Sequence, residues 1–302
     1  MSQTSPVSPT LPLAIATLGI AAFSTMDVLM KGLSISLGAY NAMLWRMIAG
    51  MIIGAVLFFG TRTRWPARST FKLHLLRGSL AAIMALSFFW GLARVPIAEA
   101  IALSFIAPLI TLYLAAVLLG EKISREAILA TVMGFAGVLV ILSARATGEI
   151  KPEILKGIAA ILFSAMLYAY NLVLQRKQAQ LASPIEIVFF QNLTAGSVLM
   201  LAAPWLAVVP DVSHAPAILG STTLAMIALL LLSWAYARAE AQVLVPVEYT
   251  AFIWAALFGW IYYNEAVTIT TCIGTALIVA GCIITARQKP GTAPEHVEAT
   301  AL

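Results

Sequence analysis

Acidic side chains inside long apolar segments are the strongest candidates for chemistry in this sequence. Glu248 lies a few residues inside an apolar segment that starts near position 241, and Asp27 lies inside one that starts near position 12. An ionisable group in a membrane-embedded segment is costly, and is therefore a functional candidate by default. Glu248 could bind a substrate amino group or carry a coupling proton, although pairing with Arg238 is the simpler interpretation. For Asp27 the sequence favours an ion pair with Arg46, which would be structural or part of an outer gate.

Polar side chains also recur along single helical faces, at steps of three and four residues. Two interpretations of such rows are open. The side chains could face a polar cavity, or they could bond to neighbouring helices. Bonding between helices is favoured for single serines, and the cavity is favoured for the rows in residues 12–30 and 154–175. The rows are Ser164, Tyr168, Asn171 and Gln175; Ser24, Asp27 and Lys31; and Ser104, Pro108 and Thr111.

A tryptophan four residues before an arginine occurs twice, at Trp90–Arg94 (WGLAR) and at Trp234–Arg238 (WAYAR), 144 positions apart. Tryptophan favours the interface between membrane and water, so both could be interfacial residues. Because the pattern recurs beside an arginine, Trp90 and Trp234 could instead be gate residues of a cavity. Both interpretations remain open.

The elements that must position these residues are membrane helices. The chain is 61% hydrophobic and 10% charged, with a mean hydropathy of +0.95, whereas soluble domains carry about a quarter charged residues. Uncharged runs of about 20 residues suit membrane-spanning helices rather than the short alternating strands of a barrel. The first run lacks the basic start of a cleaved signal, so we expect it to remain as a helix. The ten predicted spans are 12–30, 40–59, 73–93, 97–118, 125–143, 154–175, 184–203, 216–237, 241–262 and 267–286.

The repeated pentapeptide belongs to a longer internal repeat. The same offset of 144 aligns Glu121 with Glu265 and Thr131 with Thr275, and the offset between FSTM at Phe23 and FSAM at Phe163 is 140. Ala49–Gly50 and Ala195–Gly196 align at an offset of 146. Each half, 12–143 and 154–286, would hold five helices. Because five is odd, the second half would enter the membrane from the side opposite to the first. We therefore predict an all-α integral membrane protein built from two inverted five-helix repeats, with tails at 1–11 and 287–302. Inverted repeats are typical of secondary transporters, whose substrates bind between the halves.

Two repeat-related motifs, GEKIS at Gly120–Ser124 and NEAVT at Asn264–Thr268, resemble those of EamA-type transporters in the drug/metabolite transporter superfamily. Pro108, thirteen residues before Glu121, fits the same pattern, but Phe252 stands where the second half would repeat that proline. The resemblance covers all ten spans. It implies alternating access around a central cavity lined by spans 1, 3, 4, 6, 8 and 9, with spans 5 and 10 peripheral. It is closest to exporters of amino acids, including aromatic ones.

Other classes of function find little support in the sequence. The three histidines, His74, His214 and His296, form no Ser–His pair and no H-E-x-x-H motif, so we expect no enzyme activity, no metal site and no cofactor. The two cysteines, Cys272 and Cys282, are ten residues apart on one helix and too distant for a disulfide. Two alternatives remain: a transporter of other metabolites or drugs in the same superfamily, and a channel-like facilitator, although no repeated filter is visible.

The distribution of positive charge predicts the orientation. With the N-terminus in the cytoplasm, 12 Lys and Arg side chains fall inside and 5 outside, which follows the positive-inside rule. The net charge thus reports topology and gives no support to nucleic-acid binding. We expect a monomer in a bacterial-type inner membrane, in contact with lipid, with both termini cytoplasmic and with protons as a possible coupling ion. We count Arg46 as the only basic residue within the spans and Arg77 with the inner loops and span ends, so neutral or zwitterionic small molecules are favoured over phosphates.

Overall fold

We analysed a computed structural model of the chain, which describes residues 10–61, 65–107, 109–110, 114, 125–143, 151–179, 181–236, 247 and 249–286. Throughout these residues the regular structure is helical, and helices occur at each of the ten predicted spans. A helical turn at Ala203–Leu206 and a 3₁₀ turn at Val212–His214 lie between the seventh and eighth. The helices are α1 Thr10–Leu37, α2 Ala39–Gly60, α3 Arg68–Leu92, α4 Ile97–Ser104, α5 Arg125–Ser143, α6 Pro152–Ala179, α7 Pro184–Met200, α8 Ala215–Tyr236, α9 Thr250–Tyr263 and α10 Ile269–Ala286.

Length and composition agree with a membrane protein. Within the part of the chain that the structure describes, five helical stretches are long and apolar enough to span a membrane on their own: Leu11–Leu37, Ala39–Gly60, Arg68–Leu92, Pro152–Gln175 and Val212–Leu232. Large apolar side chains such as Leu18, Val56 and Ile253 are more than half exposed on the outside of the bundle, as lipid-facing residues must be. The predicted class, an all-α integral membrane protein, is confirmed.

Several helices extend past charged residues that lie at or near the ends of the predicted spans. α1 continues through Lys31 to Leu37, and α3 begins at Arg68, before His74 and Arg77. All three polar side chains are buried, between 1% and 5% exposed. The assumption that Arg46 is the only basic residue within the spans was therefore wrong, because Lys31 and Arg77 also lie inside helices. Their protein partners, described below, make these two charges tolerable away from water.

A single residue links α1 to α2. Gly38 adopts a positive φ of 78°, and its carbonyl accepts a hydrogen bond from the N–H of Ala42 in the first turn of α2. A side chain is disfavoured at such a φ, so glycine permits the reversal. The tight link places the last turn of α1 beside the first turn of α2.

The helices pack in pairs that are related by exchange of the two halves. α1 contacts α8 as α6 contacts α3, and α1 contacts α9 as α6 contacts α4. α2 contacts α8 as α7 contacts α3, while α2–α7, α4–α9 and α5–α10 pair each helix with its own counterpart. This pattern is what two inverted repeats related by an approximate two-fold axis would produce.

Glycines allow the counterpart helices to approach closely. A Cβ added at Gly137 of α5 would lie 2.5 Å from the carbonyl oxygen of Gly274 in α10, and one added at Gly274 would lie 2.5 Å from that of Gly137. Both positions have little exposed surface, and no side chain larger than hydrogen fits between them. These two glycines therefore let α5 and α10 pack closely.

The bundle has two ends, which we name after the glutamates there. At the Glu265 end, Lys31 near the end of α1 meets Glu265, and Arg94 after α3 meets Glu153 in the first turn of α6. At the Glu186 end, the start of α7 meets the first part of α3 through His74. α1 runs toward the Glu265 end and α10 runs away from it, so Thr10 and Ala286 both lie toward the Glu186 end.

Candidate functional site

A buried ion pair joins the two halves at the Glu265 end. The ammonium of Lys31 in α1 donates to Glu265 Oε1, and it also donates to the carbonyl of Val95, which follows α3, at 2.7 Å. The other carboxylate oxygen of Glu265 accepts from the N–H of Ile97 at 2.7 Å. Ile97 opens α4, whose first N–H groups have no partner within the helix. We call these contacts, made by Lys31, Val95, Ile97 and Glu265, the Glu265 closure.

The sequence after α9 explains how Glu265 reaches this position. Asn264 ends α9 in the left-handed conformation, with φ of 52°, a conformation that Asn tolerates better than most residues. The N–H of Glu265 then bonds to the carbonyl of Gly259, which turns the chain back over α9. A side chain at Gly259 would lie 2.9 Å from the Glu265 carboxylate. The missing side chain thus leaves room for the acid. Glu265 thus orders the end of α9 and the start of α4.

Tyr263 adds a second contact between the halves at this end. Its hydroxyl donates to the carbonyl of Val28 in α1 at 2.7 Å, and its ring lies 5.3 Å from the ammonium of Lys31. An open pocket of about 360 Å³ lies beside these groups. Its walls come from α1, the α3–α4 link, α6 and the end of α9. The pocket therefore lies between the halves, next to the Glu265 closure.

Trp90 and Arg94 act together at the same end. The guanidinium of Arg94 lies 3.5 Å from the centre of the Trp90 ring, and it donates to the Trp90 carbonyl at 2.9 Å. It also donates to Glu153 at 3.1 Å. Trp90 lines a second open pocket of about 290 Å³, with Tyr40 and Leu206. The tryptophan–arginine motif thus connects the end of α3 to the start of α6.

Asp27 and Arg46 do not form the direct ion pair that the sequence favoured. They lie within electrostatic reach of each other, yet no hydrogen bond or salt bridge joins them among the described residues. Nη1 of Arg46 contacts the sulfur of Met26 at 3.1 Å, and its guanidinium lies 5.8 Å from the ring of Phe89. Its Nε is buried without a hydrogen-bond partner. Two opposite charges therefore face the same interior region without forming a direct ion pair.

The polar row of α6 faces α3. Ser164 donates to the carbonyl of Met84 at 2.8 Å, and Asn171 accepts from Nε of Arg77 at 3.1 Å. Gln175 lies 3.4 Å from another nitrogen of the same guanidinium, and Gln178 accepts from Nη1. Ser164 and Asn171 are 4% and 2% exposed. These contacts match the interpretation that the row bonds to a neighbouring helix.

A buried histidine extends the Arg77 network to α7. Nε2 of His74 lies 2.9 Å from Glu186 Oε1, and its Nδ1 lies 2.6 Å from the amide nitrogen of Gln178. Because that amide nitrogen can only donate, Nδ1 accepts, and Nε2 carries the proton toward Glu186. Glu186 is the third residue of α7, which is capped by Ser183. His74, Arg77, Gln178 and Glu186 thus connect α3, α6 and α7 at the Glu186 end.

The other predicted site residues lie apart from one another. Ser24 is buried on α1, and the hydroxyl of Ser104 bonds within α4 to the Ala100 carbonyl at 2.9 Å. Tyr168 is 38% exposed, within electrostatic reach of Arg77. Trp234 packs with Ala16 and Ile20 of α1. Positions outside the described residues include Glu248, as well as Pro108, Glu121 and Arg238.

Among the described residues, the fully buried hydrogen bonds between two side chains all involve residues that the sequence analysis missed. His74 was noted only as one of three histidines without a catalytic motif, Gln178 and Glu186 were not singled out, and Arg77 was counted with the inner loops and span ends. The sequence did contain a signal for Gln178. Asn171, Gln175 and Gln178 are spaced by four and then three residues, which places all three on one helical face. Among the described residues, no group of three His, Cys, Asp or Glu side chains could hold a metal ion.

A model of the EamA-like transporter family matches the sequence twice, at residues 10–143 and at residues 155–287. The two matches cover most of the chain and correspond to its two sets of five helices.

Three curated proteins illustrate the range of relatives. An S-adenosylmethionine uptake transporter of Rickettsia bellii is 27% identical over 266 residues, which cover 87% of this chain and 88% of that protein. A pseudopaline exporter of Pseudomonas aeruginosa is 24% identical, over 92% of this chain and 96% of that protein. A riboflavin transporter of Brucella anthropi is 26% identical, over 82% of this chain and 88% of that protein.

The fold has a counterpart among solved structures. One crystal structure matches with a TM-score of 0.61 and 22% sequence identity, over 91% of this chain and 96% of its own. At this identity the likeness concerns the fold alone.

Proposed function

The chain belongs to the EamA-like transporter family, and on that premise we propose that it exports small zwitterionic or neutral metabolites, amino acids including aromatic ones among them, by alternating access. The protein itself is a multi-pass membrane transporter of the drug/metabolite transporter superfamily. Export, the amino-acid cargo and the mechanism are the proposed parts. We further propose a monomer in a bacterial inner membrane, with both termini in the cytoplasm.

The Glu265 closure is the observation that carries the proposal. Glu265 belongs to the second half, and it bonds to Lys31 and to the N-terminus of α4 in the first half. Alternating access requires contacts of this kind, which join the halves at one end and can separate while each half keeps its own fold. In the proposed cycle the closure breaks when the carrier opens toward the Glu265 end.

The polar groups of the interior support a zwitterionic or neutral cargo. Lys31 and Arg77 are engaged by protein partners, so neither is free to bind a phosphate, which needs several donors. The relatives named above carry S-adenosylmethionine, pseudopaline and riboflavin. S-adenosylmethionine is itself an amino acid, whereas riboflavin is not. Other metabolites of this size therefore remain within the proposed class.

A flux screen in proteoliposomes tests the proposal. The purified protein would be reconstituted, and uptake of labelled amino acids, riboflavin and S-adenosylmethionine measured with and without a pH gradient. We expect saturable flux for at least one amino acid, and counterflow driven by unlabelled solute inside. Liposomes without protein give the background. Unitary current steps would instead indicate a channel, and the absence of saturable flux for every solute would overturn transport of this class.

A further inference from the structure

We infer that Asp27 and Arg46 bind the two charged groups of a zwitterionic cargo, with Asp27 receiving its ammonium and Arg46 its carboxylate. This inference rests on the proposed function and names the groups that would recognise an amino acid. The fold brings these two charges together in the membrane interior, but no hydrogen bond or salt bridge joins them among the described residues.

The two side chains lie at a similar depth. Asp27 is ten residues before the end of α1 at Leu37, and Arg46 is seven residues after the start of α2 at Ala39. With a rise of about 1.5 Å per residue, both lie roughly 10–15 Å below the Gly38 turn. A charged side chain at this depth is costly unless it has a partner or faces water inside the bundle.

Neither charge points into lipid. Leu18 precedes Asp27 by nine residues, which is two and a half helical turns, so it lies on the opposite face of α1, where it is 61% exposed. Asp27 shares its face with the buried Ser24 and Lys31. Asp27 and Arg46 each keep some exposed surface, and for Asp27 that surface opens toward the interior of the bundle.

The immediate neighbours of Arg46 orient its guanidinium without neutralising it. They are the thioether of Met26 and the ring of Phe89, and Nε has no hydrogen-bond partner. Asp27, for its part, accepts no hydrogen bond from the residues that the structure describes. A bound carboxylate would supply the missing acceptor to Arg46, and a bound ammonium the missing donor to Asp27.

Lys31, one turn beyond Asp27 on α1, provides an internal comparison. Its ammonium contacts Glu265 directly and is capped by the Val95 carbonyl as well. The same helix therefore carries a closed ion pair where the two halves are held together. One turn deeper in the membrane it carries Asp27, whose carboxylate forms no direct ion pair with any of the described residues. Closed pairs stabilise structure, whereas open, preoriented charges suit the binding of a ligand.

The internal repeat indicates that the fold does not need this pair of charges. At the offset of 146 Arg46 corresponds to Asn192, and at the offset of 140 Asp27 corresponds to Leu167. The amide of Asn192 bonds within its own helix, to the carbonyl of Val188 at 2.8 Å. One half thus forms the same helices with a neutral residue at each position. The charges are specific to one half, as expected for residues that select a cargo.

A matched series of ligands tests the inference on the full-length protein. L-phenylalanine, phenethylamine and 3-phenylpropionate share one aromatic side chain and differ in the presence of the carboxylate and the ammonium. Competition against the labelled amino acid that the flux screen identifies would be measured for the wild type, Asp27→Asn and Arg46→Gln. In the wild type, phenylalanine should compete at least tenfold better than either analogue.

The variants should lose this preference selectively. Asp27→Asn should weaken competition by phenylalanine at least tenfold and leave competition by 3-phenylpropionate unchanged. Arg46→Gln should weaken competition by phenylalanine to a similar extent and leave competition by phenethylamine unchanged. Asn192→Ala, at the repeat position of Arg46, is the control and should keep the wild-type order. Thermal unfolding of each variant checks that it is folded.

The outcomes separate the two proposals. Two outcomes would overturn the assignment of Asp27 and Arg46 but not the proposed function. One is saturable flux with equal competition by all three ligands, and the other is a pair of folded variants that keep the wild-type preference. Saturable flux limited to solutes that lack an ammonium or a carboxylate would also overturn it. The absence of saturable flux for every solute would overturn the proposed function and this inference with it. If either charged variant fails to fold, Asp27→Glu and Arg46→Lys replace them, and unchanged ligand preferences in both would contradict the inference.

Discussion

Arg77 shows how a buried cation is held in this protein without an acidic partner in direct contact. Its guanidinium contacts the amide oxygens of Asn171, Gln175 and Gln178, all on α6. The planar fork of arginine matches several acceptors at once, which a lysine ammonium does not. The same Gln178 fixes the tautomer of His74, so a single residue couples two contacts of α3 with α6.

Replacing Arg77 should therefore destabilise the fold more than its charge alone suggests. We expect Arg77→Gln to lower the free energy of unfolding by about 2–3 kcal/mol, because hydrogen bonds to a charged group are lost and buried acceptors are left unpaired. Arg77→Lys should recover only part of this loss. Thermal unfolding in detergent is the measurement. Arg68→Gln, at the exposed start of the same helix, is the control, and equal melting of Arg77→Gln and Arg68→Gln would contradict the structural role.

Glu248 remains a candidate from the sequence, since it lies outside the described residues. We expect Glu248→Gln, which keeps size and hydrogen bonding but removes the charge, to reduce flux or abolish its dependence on pH. The measurement is flux at several pH values in folded, reconstituted protein. If Glu248 only pairs with Arg238, then Glu248→Gln and Arg238→Gln should instead destabilise similarly, and the double variant should be less than additive. Unchanged flux and unchanged pH dependence would remove Glu248 from the site.

At the scale of helices, the Glu265 closure joins three segments that are far apart in sequence. Lys31 lies six residues before the end of α1, Ile97 begins α4, and Glu265 follows α9. Each of these segments is continuous with a helix that the resemblance assigns to the cavity lining. Opening at this end must therefore break the contacts of Glu265 first, or move α1 and α4 together with it.

We expect loss of this ion pair to favour the open arrangement. In a variant in which Cys272 and Cys282 are replaced by serine, Val95→Cys places a thiol at a residue that is 1% exposed beside Lys31. Glu265→Gln should raise its rate of modification by a polar thiol reagent in detergent about tenfold, the factor that corresponds to about 1.4 kcal/mol. Lys31→Met should act similarly, and the double variant should add little.

The control for this experiment neutralises another carboxylate of the same end. Asp211 is exposed, and its carboxylate accepts from the N–H of Ser213 in its own loop, so Asp211→Asn should leave the modification rate unchanged. A rate in Glu265→Gln that equals the rate in Asp211→Asn would show that the ion pair does not hold this end closed.

The positions of the helices could be predicted from the sequence because hydropathy alone reports them, but their ends could not. Lys31 and Arg77 are charged, and a charge in a single sequence indicates the end of a membrane span. Their burial depends on partners 234 and 101 positions away, Glu265 and Gln178, which no local pattern reveals. Likewise the row Ser164–Gln175 indicated a polar face, for which the sequence favoured a cavity. Ser164 and Asn171 instead bond to α3, and which helix lies next to the row is a property of the packing.

At the scale of the whole molecule, the exchange-related packing gives the halves two comparable sets of contacts. The Glu265 closure is described at one end, and at the opposite end the network of His74, Arg77, Gln178 and Glu186 joins α3 of the first half to α6 and α7 of the second. The Arg77 network uses neutral amides with one buried acid, and the Glu265 closure uses a charged pair. Opening at one end therefore breaks different kinds of contact from opening at the other. Changes in pH or salt should alter the ease of opening unequally at the two ends.

The orientation of the molecule in the membrane is the last prediction. Arg77 and Lys31 are buried, and removing one charge from each side of the count leaves the excess of positive charge on the side of the termini. Thr10 and Ala286 lie toward the same end, away from Glu265, so we expect both tails in the cytoplasm.

In a background without Cys272 and Cys282, single cysteines would be placed at Ser2, at Ala301 and, as a control, at Val209, which is 80% exposed at the Glu265 end. A membrane-impermeant thiol reagent added to intact cells should label Val209→Cys but neither tail, and both tails should become reactive after the cells are permeabilised. Labelling of Ala301→Cys in intact cells would overturn this orientation, and the Glu265 closure would then face the cytoplasm.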